Sequence, residues 1–270
     1  MMNRIRSNNG VTLIELLIAA VIALVCAGAA LELYVNQQKN WLTQENITDM
    51  QQNGRAGIDE IVYHARQAGY HLPPALEAIY PSNSDPDSIT FVYLKEPQCD
   101  CALTAPMPLP SSELKLSPDT IDCFEPDTWA YIYDPFADEG EFFLITWVQT
   151  DAGHLQHNTM SLSKKYPAGS IVYVIEVVTF YVDNTTDSLH PKLMYQRFED
   201  ANIYADNIED LQFTYTLAHG AVVDSFISAD NVREVNVDLV ARTDRIDPAR
   251  GQGYLRDTLS TTVYLRNMDF

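Results

Sequence analysis

The stretch that decides the fold is Gly-Val-Thr-Leu-Ile-Glu-Leu-Leu-Ile-Ala-Ala, residues 10–20. From Val11 to Ala30 the chain is apolar except for Thr12 and one acidic residue, Glu15. About 20 helical residues at 1.5 Å each span about 30 Å, which is the thickness of the hydrocarbon core of a bilayer. This segment therefore predicts one helix that crosses a membrane.

The short segment before the apolar run is polar and basic, and it carries Arg4 and Arg6. Basic residues beside a membrane span stay on the cytoplasmic side, so the chain after residue 35 is expected to lie outside the cytoplasm. An ordinary secretory signal would instead be cut after the apolar run, where Ala27–Ala30 offers small residues. Glu15 argues against that alternative, because a carboxylate at this depth costs about 2.5–3.5 kcal/mol and usually has a partner.

Seven consecutive residues resemble the processing motif of type IV prepilins: Gly10, Val11, Thr12, Leu13, Ile14, Glu15 and Leu16. The resemblance implies that residues 1–10 are a leader, and that a prepilin peptidase cuts between Gly10 and Val11 and methylates the Val11 amine. It also implies that Glu15 pairs with the Val11 amine of a neighbouring subunit, and a buried acid is tolerable once it meets an opposite charge. Val11 departs from the family pattern, in which phenylalanine is commonest, but keeps this position hydrophobic.

Apolar residues continue beyond the membrane span at intervals of mostly three or four, the period of an amphipathic helix. Gly69 then offers a C-terminal cap, and Pro73 and Pro74 forbid continuation. The pattern predicts a helix from Val11 to Ala68, about 87 Å long, within an N-terminal unit of residues 11–70. Residues 11–33 form its membrane half, and its outer half packs on a head through Leu42, Ile47, Met50, Ile58, Ile61, Val62, Ala65 and Ala68.

Gly54 is one of three glycines inside the predicted helix and lies in the part that is expected to pack on the head. Glycine costs about 1 kcal/mol relative to alanine in the interior of a helix, because its backbone loses more conformational freedom. We therefore expect either close packing of the head against the helix at this position or a local bend of the helix axis.

Ten of the fourteen prolines lie between residues 71 and 128, which predicts an irregular region with one strand at Ser88–Leu94. Residues 129–270 then show strand patterns, and short linkers between the later strands favour antiparallel pairing. The sequence thus predicts an α+β fold with an antiparallel β head. The candidate strands are Trp129–Tyr133, Phe142–Gln149, Ser170–Val182, Lys192–Phe198, Ile208–Leu217, Ala221–Ile227, Arg233–Thr243 and Tyr254–Arg266.

Three cysteines, Cys99, Cys101 and Cys123, lie in the proline-rich region. A structural zinc site needs four ligands, and the chain has no histidine between His71 and His154 to complete a local one. A disulfide is favoured in an oxidising compartment. It would join Cys123 to Cys99 or to Cys101, and the sequence leaves both pairings open.

The formal net charge is −20, from 37 acidic and 17 basic residues. Such a surface repels phosphates, so direct binding to nucleic acid is not expected. The sequence contains no glycine-rich phosphate loop, no His-Glu-x-x-His and no Cys-x-x-Cys, which predicts a protein without enzymatic activity or a cofactor. Calcium stays an open alternative at three acidic turns: Asp85–Asp87, Asp134–Glu141 and Asp183–Asp187.

Four further stretches resemble minor pilins of the PilW type: residues 53–70, 207–215, 235–243 and 264–267. The resemblance implies a subunit that primes assembly of a type IV pilus, with the pilus tip as its candidate location. Its implied partners are other minor and major pilins, the prepilin peptidase and the assembly platform of the bacterial inner membrane. The head would lie in the periplasm before assembly. A J-type pseudopilin of type II secretion and a tip adhesin remain the alternatives.

Overall fold

The computed structural model describes residues 11–95, 98–226, 228–246 and 253–268. One helix, α1, covers Leu13–Gln67 and is 55 residues long. It begins two residues later than predicted, because Thr12 has an extended backbone (φ −78°, ψ 152°) and caps the helix. The predicted leader, residues 1–10, lies outside the described residues.

The chain leaves α1 through a tight turn. The Tyr70 N–H donates to the carbonyl oxygen of Gln67 at 2.9 Å, and Gly69 takes a φ of +82° at the third position of this turn. A positive φ at that position suits glycine, which has no Cβ to clash with the backbone. Gly69 therefore ends the helix where the sequence predicted its end, to within one residue.

Sixteen strands follow the helix in the described part of the chain, and all of their pairings are antiparallel. They are β1 (Ile79–Ser82), β2 (Ser88–Leu94), β3 (Asp100–Ala102), β4 (Leu114–Lys115), β5 (Thr128–Asp134), β6 (Glu139–Ile145), β7 (Trp147–Gln149), β8 (His154–Gln156), β9 (Ile171–Tyr173), β10 (Ile175–Asp183), β11 (Lys192–Arg197), β12 (Asp200–Asp206), β13 (Ile208–Leu217), β14 (Val222–Val223), β15 (Val232–Arg242) and β16 (Arg256–Tyr264). The helix and these sheets confirm the α+β fold with an antiparallel head.

Two sheets and the outer half of α1 enclose the main core. The five-stranded sheet has the order β1-β2-β10-β11-β12, and the stem sheet has the order β14-β13-β15-β16. Along β13, buried Leu211, Phe213 and Tyr215 alternate with half-buried polar residues, as expected for a strand with one face in a core. Helix residues Met50 and Ile61 belong to the same core.

The helix approaches the sheets most closely at two glycines. A Cβ on Gly54 would lie 2.8 Å from Leu259 Cδ1, and a Cβ on Gly57 would lie 2.8 Å from Leu193 Cδ2 and 3.1 Å from Leu239 Cδ1. Side chains at either position would collide with the strands. Of the two alternatives predicted for Gly54, the structure therefore shows the first, close packing of the head against the helix.

Residues 98–174 form a second lobe, which we call the insert. It lies between two strands that pair with each other, since Leu94 at the end of β2 is opposite Ile175 at the start of β10. The insert holds two sheets, with the orders β3-β9-β5-β6 and β4-β8-β7. Its core of described buried residues includes none from α1. Tyr131 and Tyr133 of the insert belong to a second, smaller cluster at the boundary with the five-stranded sheet, and Tyr70 and Leu72, which directly follow the helix, pack against that cluster. The insert thus sits beyond the outer end of α1.

The proline-rich region is more regular than its prolines indicated, because β1, β3 and β4 accompany the predicted strand β2. Predicted strand Phe142–Gln149 is interrupted at Thr146, and predicted strand Ser170–Val182 is interrupted at Val174. The Val174 carbonyl instead accepts the Lys95 N–H at 3.0 Å, where the chain passes from the insert back to the five-stranded sheet.

Candidate functional site

At the start of the apolar N-terminal segment, Thr12 and Glu15 are joined by reciprocal hydrogen bonds. The Thr12 backbone N–H and the Thr12 hydroxyl both donate to Glu15 Oε2 at 2.9 Å. In return the Glu15 N–H donates to Thr12 Oγ1 at 3.4 Å. This capping box satisfies donors that have no partner inside the first helical turn. A negative charge is also favourable there, because the helix dipole is positive at its N-terminus.

The capping box brings the Glu15 carboxylate to the start of the segment that the processing motif would expose. Thr12, which binds Glu15, directly follows Val11, the predicted new amino terminus. Gly10, on the other side of the predicted cleavage site, lies outside the described residues. The arrangement can therefore hold a carboxylate beside an amine on Val11, whether that amine belongs to the same chain or to a neighbouring one.

Among the residues that the structure describes, none forms a surface against the first part of the helix that follows. Residues 11–42 are all exposed, including the predicted assembly residues Leu13 (80%), Ile14 (65%) and Leu16 (64%). By length and composition this part of α1 is able to cross a membrane, and none of its most apolar window is buried within the protein. Water is a poor surrounding for such a surface, so lipid or other apolar helices must cover it.

The outer half of α1 is fixed to the head through a buried histidine. His64 Nδ1 lies 2.7 Å from Tyr93 Oη on β2, and His64 Nε2 lies 3.2 Å from Glu60 Oε1. The Tyr204 hydroxyl of β12 donates to Glu60 Oε2 at 3.0 Å. Burial lowers the pKa of His64, and burial with the bond to Glu60 raises the pKa of Tyr204 to about 12.

The cysteines of the proline-rich region lie at one edge of the insert. Cys99 and Cys123 form a disulfide, which is one of the two pairings that the sequence left open. Cys101 is a buried free thiol, and Cys26 is an exposed one in the apolar helix. The disulfide fixes the turn at 119–123 to the start of β3.

The acidic turns considered for calcium have partners within the protein. Asp134 binds Lys164 Nζ at 3.0 Å, and Asp183 Oδ1 accepts the backbone N–H of Thr185 at 2.9 Å. Asp87 is buried, and burial raises its pKa. Across the residues with described placement, no group of three or more His, Cys, Asp or Glu side chains is arranged to hold a metal ion.

The capping box itself was not anticipated from the sequence, although Thr12 and Glu15 were both singled out. Threonine followed three residues later by glutamate, just before an apolar run, is the signature of such a box. That signal was present in the quoted stretch. It assigns Glu15 a partner within its own chain, in addition to the partner that the resemblance implies.

Residues 5–31 match the prokaryotic N-terminal methylation motif. No curated protein matches the chain, and no solved structure does. The motif indicates a structural subunit, and it implies processing by a prepilin peptidase and assembly with other pilins. Together with the exposed apolar helix and the antiparallel head, the motif supports a type IV pilin-like protein, either a pilin or a pseudopilin.

Proposed function

We propose that this chain is a minor pilin that helps to start assembly of a type IV pilus. The observation that carries the proposal is the N-terminal half of α1, which is apolar, exposed over residues 11–42 and headed by the Thr12–Glu15 capping box. The described head residues bury none of residues 11–42, so the head does little to stabilise this part of the helix. Its surroundings must be supplied by a membrane first and by neighbouring helices afterwards.

The transfer from membrane to filament needs a driving interaction. Lipid tails are about as apolar as leucine, so burying the same helix among other helices brings little hydrophobic gain. The charge on Glu15 is different, because a carboxylate at that depth costs about 2.5–3.5 kcal/mol until it meets an opposite charge. Pairing of Glu15 with the Val11 amine of a neighbouring subunit removes both penalties. We infer that this pair makes the filament preferable to the membrane.

The proposal assigns the chain its partners and its place. Before assembly it is a single-pass protein of the bacterial inner membrane with the head in the periplasm. Prepilin peptidase cuts after Gly10 and methylates Val11, and the assembly platform of the inner membrane then passes the subunit to other pilins. Within the pilus, α1 packs among the helices of other minor and major pilins.

A tip adhesin is the second candidate, and the insert favours it. Residues 98–174 have a core of their own and lie beyond the outer end of α1, so they are not needed to bury the helix. A lobe placed there would be exposed at the end of a filament. Under this alternative the insert binds a surface ligand and assembly does not depend on the chain.

Deletion of the gene distinguishes these functions, with surface pili counted by electron microscopy and with secretion and surface binding measured in the same strains. A minor pilin predicts a loss of at least ten-fold in pili, restored by the wild-type gene. Normal piliation with lost surface binding would identify an adhesin. Normal piliation with lost protein secretion would identify a J-type pseudopilin.

A further inference from the structure

The disulfide of the insert has a third cysteine beside it. Cys99 and Cys123 are bonded, with their Cα atoms 5.6 Å apart. Cys101 lies two residues after Cys99, is 7% exposed and keeps a free thiol. An unpaired cysteine next to a disulfide, in a head that the proposed function places in an oxidising compartment, is chemically unusual.

The strand geometry turns both neighbouring cysteines to the same side. Side chains alternate along a strand, so residues two apart share a face. Cys99 and Cys101 are both buried, and Asp100 between them is exposed. The two sulfur atoms therefore face the same part of the insert, which is the turn that carries Cys123.

Thr120 connects the free thiol to the disulfide. Cys101 Sγ lies 2.8 Å from Thr120 Oγ1, and Cys123 Sγ lies 3.5 Å from the Thr120 carbonyl oxygen. Thr120 thus contacts the free thiol through its side chain and the disulfide through its backbone carbonyl. Cys101 is buried, and Cys99, the present partner of Cys123, lies two residues before it, directly ahead of β3.

We propose that these three cysteines form an internal thiol–disulfide exchange site, in which Cys123 pairs with Cys99 or with Cys101. The Cys101 thiolate attacks Cys123 Sγ and forms a new Cys101–Cys123 bond. The bond between Cys99 and Cys123 breaks, and Cys99 leaves as a thiolate that takes up the proton that Cys101 released. One disulfide and one thiol are present before and after, so the step needs no oxidant or reductant.

The exchange moves the attachment point of an acidic turn. Two residues along a strand correspond to about 7 Å, and a shift of two keeps the same face inward. Strand β3 has three residues and pairs with β9 through Cys101 opposite Val172, so little regular structure opposes the movement. The turn that moves with Cys123 presents four exposed acids: Asp119, Asp122, Glu125 and Asp127. The two disulfide isomers therefore present this charge in two positions.

The test uses the full-length chain in detergent, held at pH 8, quenched with acid, unfolded and alkylated with N-ethylmaleimide. Fragmentation mass spectrometry then locates the label, and Cys26 provides an internal standard for complete alkylation. We expect label on Cys99 as well as on Cys101, in a ratio that changes when mild urea is added at pH 8 but not at pH 4, where thiols are protonated. Label on Cys101 alone, or a ratio that never changes, overturns the proposal.

Two matched variants test the pairing directly. Cys99→Ser is expected to form the Cys101–Cys123 bond and to carry label on Cys26 alone. Cys123→Ser, which can form neither bond, should carry label on Cys26, Cys99 and Cys101. A Cys99→Ser chain that melts cooperatively but leaves Cys101 and Cys123 alkylated would overturn the proposal. This outcome is independent of pilus assembly, so its failure is distinct from a failure of the proposed function.

Discussion

The two halves of α1 belong to one continuous helix and have opposite surroundings. Residues 11–42 are exposed throughout, although most of them are apolar. The outer half has Met50, Ile61 and Ala65 buried in the core between two sheets. Within the described parts of the chain, the head covers only the outer half of the helix. The apolar surface of the other half stays uncovered by the residues that the structure describes.

The largest expected effect comes from removing the charge of Glu15, near the start of the exposed N-terminal half of α1. Glu15→Gln keeps the size and the hydrogen-bonding oxygen but removes the charge that would meet the Val11 amine. We expect incorporation into pili to fall at least ten-fold, measured by immunoelectron microscopy of sheared filaments. The melting temperature of the head should not change, because the described hydrogen bonds of Glu15 all stay within its own helix turn.

Glu32→Gln is the matched control for this substitution, since Glu32 is a second exposed acid on the same helix. It should leave incorporation within two-fold of the wild type. Equal losses in both variants would show that any change of charge on the helix impairs insertion or export, and the specific role of Glu15 would then be wrong.

The second prediction separates the insert from the main core. Cys123→Ser opens the disulfide that closes a stretch with a sequence separation of 24, and removal of such a link costs about 3 kcal/mol of unfolding free energy. Hydrogen exchange followed by mass spectrometry should show lost protection within residues 98–174. Strands β13 and β15 of the stem sheet should keep theirs, because their core contains no residue of the insert. Equal loss in both regions would contradict a separate insert core.

The third prediction compares a glycine from each half of α1. Gly57→Val places atoms against Leu193 and Leu239, and overpacking of this kind costs about 1–3 kcal/mol. Gly28→Val meets nothing within 4 Å inside the protein, so the unfolding free energy of the head should stay within about 0.5 kcal/mol of the wild type. Urea denaturation of both variants in detergent measures the difference. A tolerated Gly57→Val would mean that the helix does not pack as closely as described.

The smallest predicted effect is a pH dependence at the junction of helix and head. Burial lowers the pKa of His64 in the folded state, so the unfolded chain binds a proton at higher pH, near 6.5. Stability is therefore complete above about pH 6.5 and declines as the pH falls below it, by up to about 1.4 kcal/mol per pH unit. Urea midpoints at pH 7.5, 6.0 and 5.5 measure this slope.

His64→Gln supplies the control for the pH dependence. Glutamine cannot take up a proton, and it retains an amide that can reach the Tyr93 hydroxyl. The slope between pH 7.5 and pH 5.5 should become flatter in this variant. An unchanged slope would assign the pH dependence to other groups.

Local patterns predicted the helix and the long strands well. The amphipathic spacing gave α1 to within two residues at each end, and predicted strand Ile208–Leu217 coincides with β13. Strand β12, Asp200–Asp206, was missed because six of its seven residues are exposed and show no apolar alternation. Predicted strand Ala221–Ile227 shrinks to Val222–Val223 within the described residues, and Ile227 itself lies outside them.

The insert could not be predicted in the same way. Its boundaries follow from the pairing of Leu94 with Ile175, which are far apart in the sequence, and no local pattern encodes such a contact. Strands β3, β4 and β8 have two or three residues each, too few for a periodicity to appear. The Thr12–Glu15 box, in contrast, needed only neighbouring residues and was readable from the sequence.

Mass spectrometry of the mature protein purified from the membrane or from pili tests the central claim most directly. The N-terminal half of α1, including Glu15, must remain in the mature protein, since Glu15 is proposed to pair with the Val11 amine of a neighbouring subunit. We predict a chain that begins at Val11 and carries one extra methyl group on its amino terminus. A chain that begins near Glu32, without Glu15, or one that retains Met1 without methylation, would contradict the account.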